Sequence, residues 1–330
     1  MLDLFSQWNK FLGNRMFFVV LIPLFIGFFY PIETTKSWSM AATLCFTYMT
    51  FNASLDTSLK DFVKRLSNPL LPIYELLFIH GVMPFLALVI GLVFYPGPEN
   101  EFLRLGFILG ATIPVGVTSI LWSQMVGGDV SLAMVTVTLD TLISPLLLPV
   151  FIAAVVGKTI HINTVSLLAN LLWMVFIPGL LGMIIHDTTK GAYDKYTHSI
   201  GNFASKLCIS VVIYVNASAI APEINWNHSI IKLLMVILIV SCSGYILGFL
   251  SSYILKGHKR EQMVAMIYNI GMRNNALGVV LAITYFPPAV ALPVTLSMLY
   301  QQPLAAVVKI LVESFYKRRH TTKESHCSLI

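Results

Sequence analysis

The sequence predicts an all-α integral membrane protein of ten transmembrane helices, arranged as two inverted five-helix repeats. Three observations carry that expectation: an apolar composition, a one-sided distribution of basic residues, and two broken spans at matching positions. Of the 330 residues, 57% are hydrophobic and 11% charged, and the mean hydropathy is +0.80. A soluble domain carries roughly a quarter charged residues, so lipid has to solvate much of this chain. The formal net charge of +6 would suit nucleic acid, but no basic stretch is interleaved with aromatics, and nucleic acid is not expected as a partner. Cys45, Cys208 and Cys242 sit in apolar segments and Cys327 in the tail. No CxxC pair occurs, so buried free thiols are expected, with no metal site and no disulfide framework.

Residues 1–15 place Leu4, Trp8, Phe11 and Leu12 at helical spacing beside Gln7, Asn9 and Lys10, which suits a short helix lying in the membrane interface. The first apolar run begins near Met16, contains Pro23 and lacks a small-residue cleavage site, so no cleavable signal is expected. Runs able to cross about 30 Å of hydrocarbon fall near 16–32, 37–55, 69–94, 103–124, 130–156, 164–186, 203–221, 230–255, 262–284 and 286–314. The second and seventh carry Ser, Thr and Asn. The tenth contains Gln301, Gln302 and Pro303, and so has to face protein or water at that depth. Repeat 1 is then 16–156, repeat 2 is 157–314, and 315–330 is a tail. That tail ends Cys327-Ser-Leu-Ile, a formal prenylation box that adds little to a chain held by many spans.

Ten crossings put both termini on one side. On that side fall Lys10, Arg15, Lys60, Lys64, Arg65, Lys190, Lys195, Lys256, Lys259, Arg260, Lys317, Arg318, Arg319 and Lys323, fourteen basic residues against Lys36, Arg104, Lys158 and Lys232 on the other. The positive-inside rule makes the termini cytoplasmic, in a plasma membrane of the bacterial inner type. Lys206 and Lys309 lie near span ends and can snorkel. Arg273 lies mid-span and cannot.

The fourth span is interrupted by Pro114-Val-Gly116-Val-Thr118-Ser119 and the ninth by Asn269-Ile-Gly271-Met-Arg273-Asn274-Asn275. Each is the fourth member of a group of five. A unit with an odd number of crossings returns inverted when repeated, and paired broken helices in register point to a transporter whose site lies at their crossing. Half-helix N-termini there offer N–H groups to an anion. Gly and Pro are also common in membrane helices for close packing, which would explain either break alone but not the register.

At these residues the sequence resembles the bile acid:sodium symporter family, whose superfamily also holds arsenite-efflux permeases. Pro114–Ser119, Gly128-Asp-Val-Ser-Leu132 and Ser144-Pro-Leu-Leu-Leu-Pro149 are similar to its fourth and fifth spans. Gly271-Met-Arg-Asn274, Leu277-Gly-Val-Val-Leu-Ala282 and Ala291-Leu-Pro293 are similar to its ninth and tenth. The similarity covers about 104–155 and 262–305. It implies a core domain of spans 3–5 and 8–10 moving against a panel of spans 1, 2, 6 and 7, alternating access, and small or amphipathic organic anions as cargo.

The departures bear on coupling. The resemblance implies sodium ligands where this chain has Ser119, Ile120, Ala133, Val137, Asn269 and Arg273. One serine remains, the shared carboxylate becomes Asn269, and a guanidinium stands among the former ligands. Coupling to two sodium ions through these positions is therefore expected to be lost, leaving sodium-independent or proton-linked transport, and no other cofactor is expected. A lone charge at mid-membrane costs at least about 2.5–3.5 kcal/mol on insertion scales, and Asp140, which shares a ridge with Thr136 and Ser144, is the expected partner of Arg273. The Asp140–Arg273 pair, with His80, is the candidate for charge compensation or proton coupling. His80 needs a shift of one residue to reach the register that the resemblance gives to a ligand near Ile79. Glu75 is expected in a water-filled vestibule. Thr118, Ser119, Arg273, Asn274, Asn275, Gln301 and Gln302 are the candidate substrate-binding residues.

Arsenite efflux would need a thiolate in the broken fourth span, and 113–124 contains no cysteine. An intramembrane enzyme would need a recognisable catalytic motif, and no HExxH or GxSxG is present. A sensor or channel on a transporter fold is the third rival. The expected protein is a transporter, not an enzyme, acting on a small organic anion within the lipid bilayer as a monomer or weak homodimer.

Overall fold

With no water in the hydrocarbon to satisfy free N–H and C=O groups, a chain this apolar has to close its hydrogen bonds within helices. The structure, a computed structural model, describes residues 2–55, 58–60, 63, 70–156, 164–223, 228–255 and 259–327. Among them there is no strand, and the one extended pairing is an isolated antiparallel bridge between Val115 and Arg273. Lys64, Arg65, Lys158, Lys256 and the last three residues of the chain lie outside the described residues.

The helices are α1 (Leu2–Asn14), α2 (Met16–Phe29), α3 (Lys36–Ser54), α4 (Leu70–Leu77), α5 (Met83–Phe94), α6 (Glu101–Thr112), α7 (Thr118–Met125) and α8 (Val130–Val156). The second half of the chain holds α9 (Thr164–Leu171), α10 (Ile177–Thr189), α11 (Asn202–Ile220), α12 (His228–Ile254), α13 (Arg260–Gly271), α14 (Asn275–Tyr285) and α15 (Pro288–Cys327). A π-helical turn, Phe78–Val82, joins α4 to α5, and similar turns, Leu172–Phe176 and Thr197–Gly201, precede α10 and α11.

Six helical stretches among the described residues are long and apolar enough to cross a membrane: Leu70–Phe94, Val130–Phe151, Ala169–Thr189, Asp194–Ile220, Ser229–Ile254 and Pro288–Phe315. The other four stretches expected as spans fall short for identifiable reasons. α2 has only 14 residues. α3 carries Ser, Thr and Asn throughout its 19 residues. The fourth and ninth spans are cut into 12 plus 8 and 12 plus 11 residues by the breaks. α1 bends by 72° from α2, leaves Leu4, Trp8 and Phe11 exposed, and sets Arg15 over the Phe11 ring at 4.0 Å.

Two packed groups emerge. α2 and α3 lie against α11, and α3 also against α10; elsewhere α4 packs on α8, α5 on α6, α6 on α15, α7 on α13 and α12 on α13. Lipid supplies no hydrophobic drive between helices, so small residues and close van der Waals contact hold such groups. At Gly27 an added Cβ would lie 2.6 Å from the Ala217 methyl, so α2 sits on α11 at backbone distance. One buried cluster bridges the groups, with Leu24, Phe46 and Ile213 on one side and Leu109, Leu281 and Val290 on the other.

Candidate functional site

Helix α6 ends at Thr112 because Pro114 two residues on cannot continue its ladder. Helix α13 ends at Gly271. The two extended breaks meet side by side, and each satisfies the other's freed backbone: Gly116 N donates to Met272 O at 3.3 Å, and Asn274 N donates to Pro114 O at 2.7 Å. The approach demands a glycine, since a Cβ at Gly116 would stand 2.8 Å from Arg273 O. From this crossing α7 and α14 start, α14 capped by the Asn274 side chain accepting from Leu277 N at 3.3 Å. Both positive helix ends therefore begin at one place.

Asp140 is fully buried and serves the break directly. Its Oδ2 accepts from Val115 N at 2.6 Å, and its Oδ1 accepts from Ser144 Oγ at 3.1 Å and contacts His80 Nε2. Among the described contacts, Asp140 and Arg273 do not touch directly. Arg273 instead donates from Nη2 to Ile79 O at 3.3 Å, although Asp140 remains within electrostatic reach of it. The cause is the π turn Phe78–Val82, which contains both Ile79 and His80. Within that turn His80 reaches Asp140 while the Ile79 carbonyl accepts from Arg273.

A second polar chain runs through the crossing. Ser119 Oγ donates to Asn269 Oδ1 at 3.1 Å, and Asn269 Nδ2 donates to Glu75 Oε2 at 2.8 Å, with all three residues fully buried. Glu75 therefore does not face a vestibule. α4 packs on α8 and carries Glu75 beneath the crossing, so a carboxylate from the third span lies against Asn269. The expectation from sequence missed this role, although a single acid in so apolar a run was itself a signal. The positions to which the resemblance gives sodium ligands are packed in apolar clusters: Val137 packs with Ile79, Val115 and Ile270, Ala133 packs with Leu132 and Ala265, and Ile120 covers both clusters.

Arg273 is 7% exposed, and its Nε and Nη1 have no hydrogen-bond partner. It lines a cleft together with Met83, Phe107, Ser241, Tyr245, Asn275 and Gln301. Asn275 Nδ2 bonds Gln301 Oε1 across the cleft wall, and Tyr245 Oη donates to Gln301 O at 3.3 Å. Of the remaining expected site residues, Gln302 turns away to accept from Trp122 Nε1 at 2.9 Å. Thr118 opens α7, Asn274 caps α14, and neither lines the cleft. Ser241, Tyr245 and Ser297 line it and were not anticipated, because they carry no charge and lie in otherwise regular apolar helices.

Residues 14–317 match the SBF-like CPA transporter family. An uncharacterized protein, YbaS, of Bacillus subtilis (strain 168) is 32% identical over 281 residues, covering 85% of this chain and 91% of its own length. An uncharacterized sodium-dependent transporter, YocS, of the same organism is 24% identical, with 88% of each chain covered. A probable chloroplastic sodium/metabolite cotransporter, BASS1, of Arabidopsis thaliana is 24% identical over 92% of this chain and 75% of its own. With its apolar helices, the protein is a multi-pass membrane transporter and not an enzyme. The chain belongs to the SBF-like CPA transporter family.

Proposed function

We propose that the protein is a secondary transporter of a small or amphipathic organic anion, working by alternating access in a bacterial inner membrane with both termini cytoplasmic. One observation carries the anion: Arg273 lines a cleft at the crossing, and two of its buried N–H-bearing nitrogens, Nε and Nη1, have no hydrogen-bond partner. A buried cation with idle donors is costly, and a charge-assisted hydrogen bond to an anion offsets that cost. The starts of α7 and α14 at the same crossing add positive potential.

The ten-span reading, with inverted repeats 16–156 and 157–314 between an interfacial segment 1–15 and a tail 315–330, draws support from the broken pair in register and from the two packed groups. Those groups would act as panel and core. Coupling runs without the usual two sodium ions, since Ile120, Ala133 and Val137 lie in apolar clusters, and the His80–Asp140 contact supplies a proton-linked alternative. Sodium-coupled symport is the second reading, favoured by the sodium-dependent transporters among the relatives.

A thermal-shift screen of purified protein against carboxylates of graded size, in sodium and in potassium buffers and across pH, tests these readings together. The proposal expects stabilisation by at least one carboxylate class, equal in both salts. Stabilisation that requires sodium would establish the second reading instead.

A further inference from the structure

We propose that Glu75 is a proton-binding site of the transport cycle, its carboxyl protonated at Oε1 in this conformation. The inference deepens the proton-linked form of the reading above. It places the proton on a residue that neither the family resemblance nor the anion site required.

Three observations carry it. Glu75 is fully buried, and among the described residues no cation forms an ion pair with it. One carboxyl oxygen, Oε2, is engaged by Asn269, while the other, Oε1, has no hydrogen-bond partner. Thr136 Oγ1, on the helix packed against α4, is also fully buried and also without a partner. An unpaired carboxylate in a dry interior is far costlier than a neutral, hydrogen-bonded carboxyl. A proton on Oε1 removes the bare charge and gives an O–H that Thr136 Oγ1, on the facing helix, can accept while keeping its own hydrogen. A sodium ion would need several oxygens, and Asn269 turns its amide N–H, not its oxygen, to the carboxyl.

The charged groups on the neighbouring elements do not substitute for that proton. On α8 they are Asp140, already engaged by His80 and Val115, and at its start Asp129, which caps Leu132 N and is itself acidic. On the π turn there is His80, held on Asp140. On α13 and just beyond it are Arg260, which donates from Nη2 to Val126 O at 3.3 Å, Glu261, a further acid, and Arg273, turned to Ile79 O. In the cycle the crossing rearranges, water reaches Glu75, and the proton leaves Oε1 to that water, regenerating the carboxylate.

The test is difference infrared spectroscopy of the purified full-length protein in detergent at neutral pH, wild type minus Glu75→Gln, with no organic anion present. The expected result is a protonated-carboxyl carbonyl band worth one group in the wild type and absent from the variant. In Thr136→Val the band persists and moves to higher frequency, because the O–H loses its acceptor. Glu75→Gln, isosteric with the neutral carboxyl, should melt no lower than wild type at neutral pH. A wild-type spectrum with no band attributable to Glu75 overturns the proposal. So does a sodium-dependent rise in melting temperature, not reproduced by potassium, that Glu75→Gln abolishes. If Glu75→Gln fails to fold, the Thr136→Val band shift decides alone, an unshifted band overturning the proposal. Because no organic anion is used, a failure here is separate from a failure of anion binding at Arg273.

Discussion

Replacing Asp140 tests whether a carboxylate holds the broken fourth span in place. Its Oδ2 takes the N–H of Val115, freed by the break, at 2.6 Å, while Oδ1 takes Ser144 and His80. Asp140→Ala leaves the buried Val115 N–H and Ser144 hydroxyl without their acceptor, strands His80 and opens a void, and losing two hydrogen bonds to a charged acceptor costs about 3–5 kcal/mol. Asp140→Asn keeps an oxygen for Val115 and loses only the charge assistance, about 1–2 kcal/mol. His80→Gln leaves the Val115 bond untouched and should cost least. Scaled by an unfolding entropy of about 2.1 cal/mol/K per residue over 330 residues, the alanine variant melts roughly 4–7 °C lower and the asparagine variant about 1.5–3 °C lower. Thermal unfolding in one detergent, followed by intrinsic fluorescence, reads all three. If Asp140→Ala melts within about 2 °C of wild type, or if Asp140→Asn is as damaging as the alanine, the carboxylate does not act through the Val115 N–H.

The same crossing gives two sharper expectations. Gly116→Ala drives a methyl to within 2.8 Å of Arg273 O; it should cost about 1–3 kcal/mol as overpacking and remove transport of any accepted anion in proteoliposomes while the protein still reaches the membrane. Gln301→Leu removes the partner of Asn275 in the cleft and should weaken anion binding by about tenfold, one charge-free hydrogen bond's worth, whereas Gln302→Leu, whose side chain meets Trp122 instead, should leave anion affinity within about twofold when titrated by thermal shift.

What the sequence disclosed and what it hid divide along physical lines. The two breaks were legible because Pro114, Gly116 and Gly271 are residues that a helix interior rejects, and their matching positions announced that they would meet. The crossing at Val115 and Arg273 follows from that. The partner of Asp140 was not legible, because pairing opposite charges ignores the backbone N–H that a break sets free, and here Val115 claims one oxygen. His80 was named beside Asp140, but its register was not legible. No side-chain pattern marks a π turn, yet the one over Phe78–Val82 decides which residue of the third span faces α8. Gln301 and Gln302 are adjacent and chemically identical, so only the rotation of α15 could tell the cleft residue from its neighbour. Glu75 shows the sharpest contrast. A lost acid at Asn269 reads in one dimension as a charge deleted, and in three dimensions a carboxylate from another helix sits against the same amide.

The account rests on an anion meeting Arg273 at the crossing. The most direct measurement is the affinity of the strongest-binding carboxylate for the wild type and for Arg273→Gln, titrated at equilibrium in sodium-free buffer. Loss of charge-assisted hydrogen bonds worth about 1.5–3 kcal/mol predicts binding roughly ten to a hundred times weaker in the variant. Unchanged affinity in a folded Arg273→Gln protein would contradict the account.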